Sequence, residues 1–126
     1  MSNHAPGFEK HPNHRVDISH SDARVRVYAG NTLIAESNAA LLVDESRHNK
    51  VFYLPRDDVD MNQLKATDTS TYCPFKGHAS YFSVASQGGD LNDSVWSYEQ
   101  PFSECQALQG CLAFYADRFD VQIDEH

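Results

Sequence analysis

Phe119-Asp120-Val121-Gln122-Ile123-Asp124 places an apolar side chain at every second position, a periodicity that fits a β-strand with one buried face and does not fit a helix. Arg24-Val25-Arg26-Val27-Tyr28 alternates in the same way, Gly30-Asn31 follows as a turn, and Thr32 to Ala35 reads as the returning strand of a hairpin. Further strands are expected at Ala40 to Asp44, Val51 to Leu54, Ala79 to Ala85, Ser94 to Glu99 and Leu112 to Tyr115, with Gly88-Gly89-Asp90 as a turn. Pro55 closes one strand, and Asp57, Asp58 and Asp60 favour a short helix or turn running to about Leu64. Ser103 to Gln109 reads as a two-turn helix with Ser103 as N-cap and Gly110 as stop. About seven or eight short strands with one or two short helices imply an all-β fold, a mostly antiparallel sandwich or partly rolled barrel.

Residues 1–22 contain Pro6, Gly7, Pro12 and four of the seven histidines, with little apolar periodicity beyond Val16 and Ile18. They are expected to form a flexible N-terminal arm, leaving 23–126 as a single β domain. His4, His11, His14 and His20 are too irregularly spaced for one preformed metal site, so the arm reads as solvated, with weak adventitious metal binding as the alternative. At 126 residues the chain can bury roughly two thirds of its unfolded surface without disulfide or metal staples.

Eighteen acidic against ten basic residues give a formal charge of −8, with no dense run of Lys or Arg, which argues against nucleic acid as the partner. The N-terminus lacks an apolar signal stretch, and the run Ala39 to Val43 is far too short to span a bilayer. A soluble, cytoplasmic protein is expected. Cys73, Cys105 and Cys111 are odd in number and none is spaced as Cys-x-x-Cys, so reduced thiols are expected, with no metal site and no cofactor.

Three segments carry side chains suited to chemistry. Thr71-Tyr72-Cys73-Pro74-Phe75-Lys76-Gly77 sets a thiol three residues from an ammonium in what reads as a loop. Cys73 is there a candidate nucleophile activated by Lys76, or else a small buried hydrophobe beside a solvated lysine. A histidine partner is formally available in His78 or His48. Val95-Trp96-Ser97-Tyr98-Glu99 puts Trp96 and Tyr98 on one face of a strand, forming either the aromatic wall of a ligand pocket or part of an ordinary core. Arg56, directly after Pro55, is placed to clamp a carboxylate or phosphate, or to pair with Asp57, Asp58 or Glu99, with Glu45 as a further member of that cluster. Serine-protease, phosphate-loop and His-Glu-x-x-His signatures are absent.

Val25-Arg26-Val27, Tyr53-x-Pro55-Arg56, Thr71-x-Cys73-Pro74-Phe75-Lys76-Gly77-x-Ala79-x-Tyr81, Val95-Trp96-Ser97-Tyr98-Glu99-x-Pro101 and Ala113-Phe114-Tyr115 together resemble the domain-of-unknown-function family 427 over about residues 24 to 124. The resemblance implies a compact, tent-like sheet similar to methionine sulfoxide reductase B and to the Mss-four and cereblon-type ligand-binding domains. The family's usual label suggests nucleotidyl transfer, yet the sequence offers neither a nucleotide-binding loop nor paired metal-binding carboxylates. Zinc is not carried over either, because the paired Cys-x-x-Cys turns are missing. The matching motifs nominate Cys73, Lys76 and Glu99 for chemistry and Arg56, Tyr72, Tyr81, Trp96 and Tyr98 for binding.

Two functions compete. In the first, Arg56 and Lys76 hold an anionic group of an unidentified small molecule, Trp96 and Tyr98 pack its apolar part, and Cys73 or Glu99 carries any reaction. In the second, the domain is a non-catalytic interaction module that binds a partner protein or a second copy of itself as a homodimer. Redox chemistry at Cys73 is a third option, which needs Cys105 or Cys111 to lie near it in space.

Overall fold

The computed structural model describes residues 4–84 and 91–124, so Ala85 and the expected turn Gly88-Gly89-Asp90 lie outside the described residues. Among these described residues, ten strands form two antiparallel sheets. These are β1 (Val16–His20), β2 (Arg24–Ala29), β3 (Thr32–Ser37), β4 (Leu41–Glu45), β5 (Val51–Leu54), β6 (Leu64–Cys73), β7 (Gly77–Val84), β8 (Val95–Ser97), β9 (Leu112–Phe114) and β10 (Asp120–Asp124). The larger sheet has the order β1-β4-β5-β9-β8-β7-β6, and the smaller has β10-β2-β3. No described helix is long and apolar enough to cross a membrane.

Alternation sorts the side chains onto two cores. Val25, Val27, Ile34 and Ala35 of the smaller sheet pack against Leu54, Val84, Val95, Leu112 and Phe114 of the larger one, joining the two sheets face to face. The opposite face of the larger sheet carries Leu41, Val43, Tyr53, Ala79, Tyr98 and Ala113, with Val16, Ile18, Tyr81 and Trp96 beside them. In β10 the alternation makes the strand as expected, but burial fades along it: Phe119 is buried, Val121 half-buried, and Ile123 exposed.

The larger sheet curls so that strands near its opposite edges meet. Glu45, at the end of β4, forms an ion pair with Lys76, in the turn between β6 and β7, although three strands separate β4 from β7 in the sheet order. The backbone of that turn is fastened as well. Gly7 N donates to Pro74 O at 3.0 Å, Phe102 N to Lys76 O at 2.9 Å, and the Cys105 thiol to Phe75 O at 3.6 Å. Gly77, which closes the turn, has φ +122, and a Cβ there would sit 3.3 Å from Gln100 O, so glycine is needed both for the backbone and for the close approach.

Several expectations are corrected. The segment read as a flexible arm is structured from residue 4 onward: α1 (Gly7–Lys10) docks on Phe75, and β1 pairs with β4 from Val16↔Glu45 to His20↔Leu41. The Cys73 loop is instead the tip of a long hairpin, because Thr71, Tyr72 and Cys73 end β6 and pair with Ala79, His78 and Gly77. The segment after Pro101 is a 3-10 run, Ser103–Leu108, interrupted by non-helical backbone at Cys105, and Ser103 does not cap it. Its buried residues, Cys105 and Leu108, are three apart, which suits the 3-10 period better than 3.6. The acidic stretch after Pro55 forms two 3-10 turns, Arg56–Asp58 and Met61–Gln63.

Docking of the N-terminal segment makes Gly7 sensitive. A Cβ there would lie 2.7 Å from Cε1 of Phe75, whose ring is held by Phe8 and stacked on His14 with centroids 3.8 Å apart. Gly7→Ala is therefore expected to destabilise the domain by about 1–3 kcal/mol in urea unfolding, whereas a solvated arm would show no change.

Candidate functional site

Curling leaves a cavity of about 1170 Å³, lined on the second face of the larger sheet by Val43, Tyr53, Trp96, Tyr98, Tyr81 and Cys73. Strand alternation puts them there: Trp96 and Tyr98 share a face of β8 and its continuation, and Tyr81, opposite Trp96, shares it from β7. The cavity also reaches Phe52, Leu54 and Phe114, which belong to the core between the sheets. The ladder between β5 and β9 is short, consisting of Tyr53↔Ala113 and Leu54↔Leu112, and Val51 and Phe52 have no partner in β9.

The aromatic wall is specifically arranged. Trp96 Nε1 donates to Tyr53 Oη at 3.1 Å, and the two rings meet edge to face with centroids 6.1 Å apart. Tyr53 and Tyr98 have centroids 6.4 Å apart, and Tyr115 lies 4.6 Å from Trp96 on the other side. Burial pushes the phenols of Tyr53 and Tyr98 far above the ordinary tyrosine value, so both keep their protons at any physiological pH. Tyr115 is raised too, by burial and by the neighbouring Tyr81 hydroxyl.

At one end of the cavity lies a charge cluster whose connections the sequence did not reveal. Glu45 accepts from Lys76 through Oε1 and contacts His14 Nε2 at 2.8 Å through Oε2, and His48 stands 3.8 Å away. Glu45 and Lys76 are both buried. Burial alone would raise the Glu45 carboxyl, but hydrogen bonds from Lys76 and His14 and the charges of Lys76 and His48 outweigh it and hold it below its ordinary value. His14, expected in a solvated arm, is therefore a cavity residue, and Glu45 partners Lys76 rather than Arg56.

The eight nominated residues do not converge on one point. Cys73, Lys76, Tyr81, Trp96 and Tyr98 line the cavity. Tyr72 reaches its rim, but half of its surface is exposed and its ring lies against His78 and Phe102. Arg56 and Glu99 are outside the cavity. Arg56 pairs with Glu99, donates through Nε to Gly110 O at 2.9 Å and through Nη2 to Ser97 Oγ at 3.3 Å, and lies over the Phe82 ring. Ser97 faces away from Trp96 and Tyr98, as strand alternation requires, and this takes the guanidinium to the other side of the sheet. Both members of that ion pair are more than one third exposed, so the pair itself contributes little stability, about 0–1 kcal/mol. All three cysteines are free, and no group of three or more His, Cys, Asp or Glu among the described residues is placed to hold a metal ion.

A family model described as a domain of unknown function, DUF427, matches residues 17–125. The chain belongs to DUF427. The match starts one residue into β1, within the segment that the sequence assigned to the arm, and spans both sheets and the cavity wall of this DUF427 domain. No curated protein matches it.

Two outcomes follow from the cavity's chemistry. Because the folded-state value of Glu45 is depressed, its stabilising contribution is present above the ordinary carboxylate value and is lost as pH falls through the folded one. Lys76→Met, which strands a buried carboxylate, should cost about 3 kcal/mol near pH 7. That cost should shrink towards about pH 4 as Glu45 takes up a proton; equal losses at both pH values in urea titrations would contradict the assignment. In native-state alkylation followed by mass spectrometry, half-buried Cys73 should react first. Cys105, fully buried with its thiol pushed up to about 11, and Cys111, also raised by burial, should react only on unfolding.

Proposed function

We propose that this domain binds a small molecule whose flat, apolar part lies against the Trp96 wall. The observation that carries this reading is the set of aromatic side chains, Tyr53, Tyr81, Trp96, Tyr98 and Tyr115, turned towards a cavity of about 1170 Å³. Aromatic residues that served only as core would fill that space with one another. A neutral ligand fits better than an anionic one, because the two cations expected to hold an anion are engaged, Lys76 by Glu45 and Arg56 by Glu99. Chemistry at Cys73 is a secondary role for the site: the thiol is on the wall, but Lys76, its expected activator, points its charge at Glu45.

The second reading, an interaction module or homodimer, has support in β6, a ten-residue strand at the edge of the larger sheet. That edge is rich in Thr and carries Lys65 and Asp68, and its pairing is irregular between Ala66 and Ser70, features that blunt strand-to-strand association.

Trp96 is the single tryptophan and stands in the cavity wall, so it reports on occupancy. The neutral dye N-phenyl-1-naphthylamine is expected to bind saturably at one site and to quench Trp96 emission. Val51→Phe, which adds bulk to the lining, should weaken that binding by about tenfold or more. Absence of saturable binding, or an affinity unchanged by Val51→Phe, would count against the reading.

A further inference from the structure

Tyr98 lines the cavity with a hydroxyl that no protein group engages among the described residues. Tyr98 is 6% exposed, and because no fully buried side-chain N or O atom among the described residues lacks a partner, its hydroxyl is not sealed in the core but stays reachable from the space beside it. Tyr53, Cys73, Tyr81 and Glu45 line the same cavity as Tyr98. Tyr53 is 2% exposed and lines the cavity as well: its oxygen accepts from Trp96 Nε1 at 3.1 Å, which leaves its O–H proton to be donated elsewhere. Two phenols therefore stand side by side, each with a proton to donate and both turned to one space. Their surroundings oppose charge, as burial shows by holding both protons in place, so the acceptor they suit is a neutral oxygen rather than an anion.

We propose that Tyr53 and Tyr98 form a two-donor site for the carbonyl oxygen of a neutral, flat ligand, with Trp96 against the ligand's face. This rests on the binding role proposed above and names the class of molecule that fills it. The indole N–H of Trp96, donating to Tyr53 Oη, polarises that hydroxyl towards donation and fixes its orientation, so Trp96 is a positioning residue for the polar contact as well as a packing surface. A neutral ketone, amide or lactam satisfies both phenols, whereas a hydrocarbon of the same shape leaves them unpaired when it displaces water.

The matched probes are 1-indanone and indane, which differ by a carbonyl in place of a methylene, measured by displacement of N-phenyl-1-naphthylamine from the intact protein. In the wild type 1-indanone should bind at least about fivefold more tightly than indane. In Tyr98→Phe the affinity for indane should be kept and the preference for the ketone should largely disappear, and Tyr53→Phe should reduce it in part. Tyr98→Phe should fold and melt close to the wild type, because it keeps the packed ring and removes only a reachable hydroxyl; Tyr53→Phe supplies the second variant. Equal binding of the two probes, full retention of the preference in Tyr98→Phe, or failure of both probes to displace a dye that does bind would overturn the carbonyl site while leaving the binding role standing. Failure of the dye itself to bind would overturn both.

Discussion

The ion pair between Glu45 and Lys76 is the constraint on which the shape of this domain depends. A carboxylate and an ammonium that are both nearly removed from water are tolerable only in each other's company. Their positions, at the end of β4 and in the β6–β7 turn, mean that they can meet only if the larger sheet curls. His14 adds a contact to the same carboxylate and stacks on Phe75, which brings the segment before β1 to that turn too. The curl is thus held by side chains and by the backbone bonds of the turn, without closing the strand ladder into a barrel. Enclosed by it is a face whose large side chains are aromatic and whose far wall is the turn itself.

That geometry separates the two sets of residues that the sequence motifs placed together. Period-two alternation in β8 and the residues after it commits Trp96 and Tyr98 to the enclosed face and Ser97 to the opposite one. Arg56 follows Ser97 and joins Glu99, and the pair braces Gly110 across a surface that the cavity does not reach. The cavity that remains is aromatic and internally charge-paired, and the proposal of a neutral ligand rests on that composition. The DUF427 family match covers both halves of this arrangement, the cavity and the Arg56 brace.

Much of the fold was legible where one face of a strand is buried. β2, β3, β5 and β10 are close to the segments that alternation or a continuous apolar run indicated, and the antiparallel all-β class follows from them. β6 was not legible by that route, since Leu64-Lys65-Ala66-Thr67-Asp68-Thr69-Ser70-Thr71 is largely exposed at a sheet edge and has no apolar period to read. Its three threonines within ten residues, Thr67, Thr69 and Thr71, were the available signal, through β-propensity. β1 was obscured because only Val16 and Ile18 mark it, flanked by histidines, prolines and glycine that resemble a tail. In the site, the Trp96–Tyr98 wall was readable from alternation alone, and the same rule applied to Ser97 would have separated Arg56 and Glu99 from it. The Glu45–Lys76–His14 cluster joins positions 31 residues apart, a distance at which no local pattern speaks.

The most direct test is a crystal structure of the protein soaked with 1-indanone. The account requires an open cavity between Tyr53, Trp96 and Tyr98, with the ring system against the Trp96 indole and the carbonyl oxygen within hydrogen-bonding distance of Tyr98 Oη. A well-ordered crystal in which the aromatic side chains close on one another, with Tyr98 Oη satisfied by a protein group and no room for the probe, would contradict it.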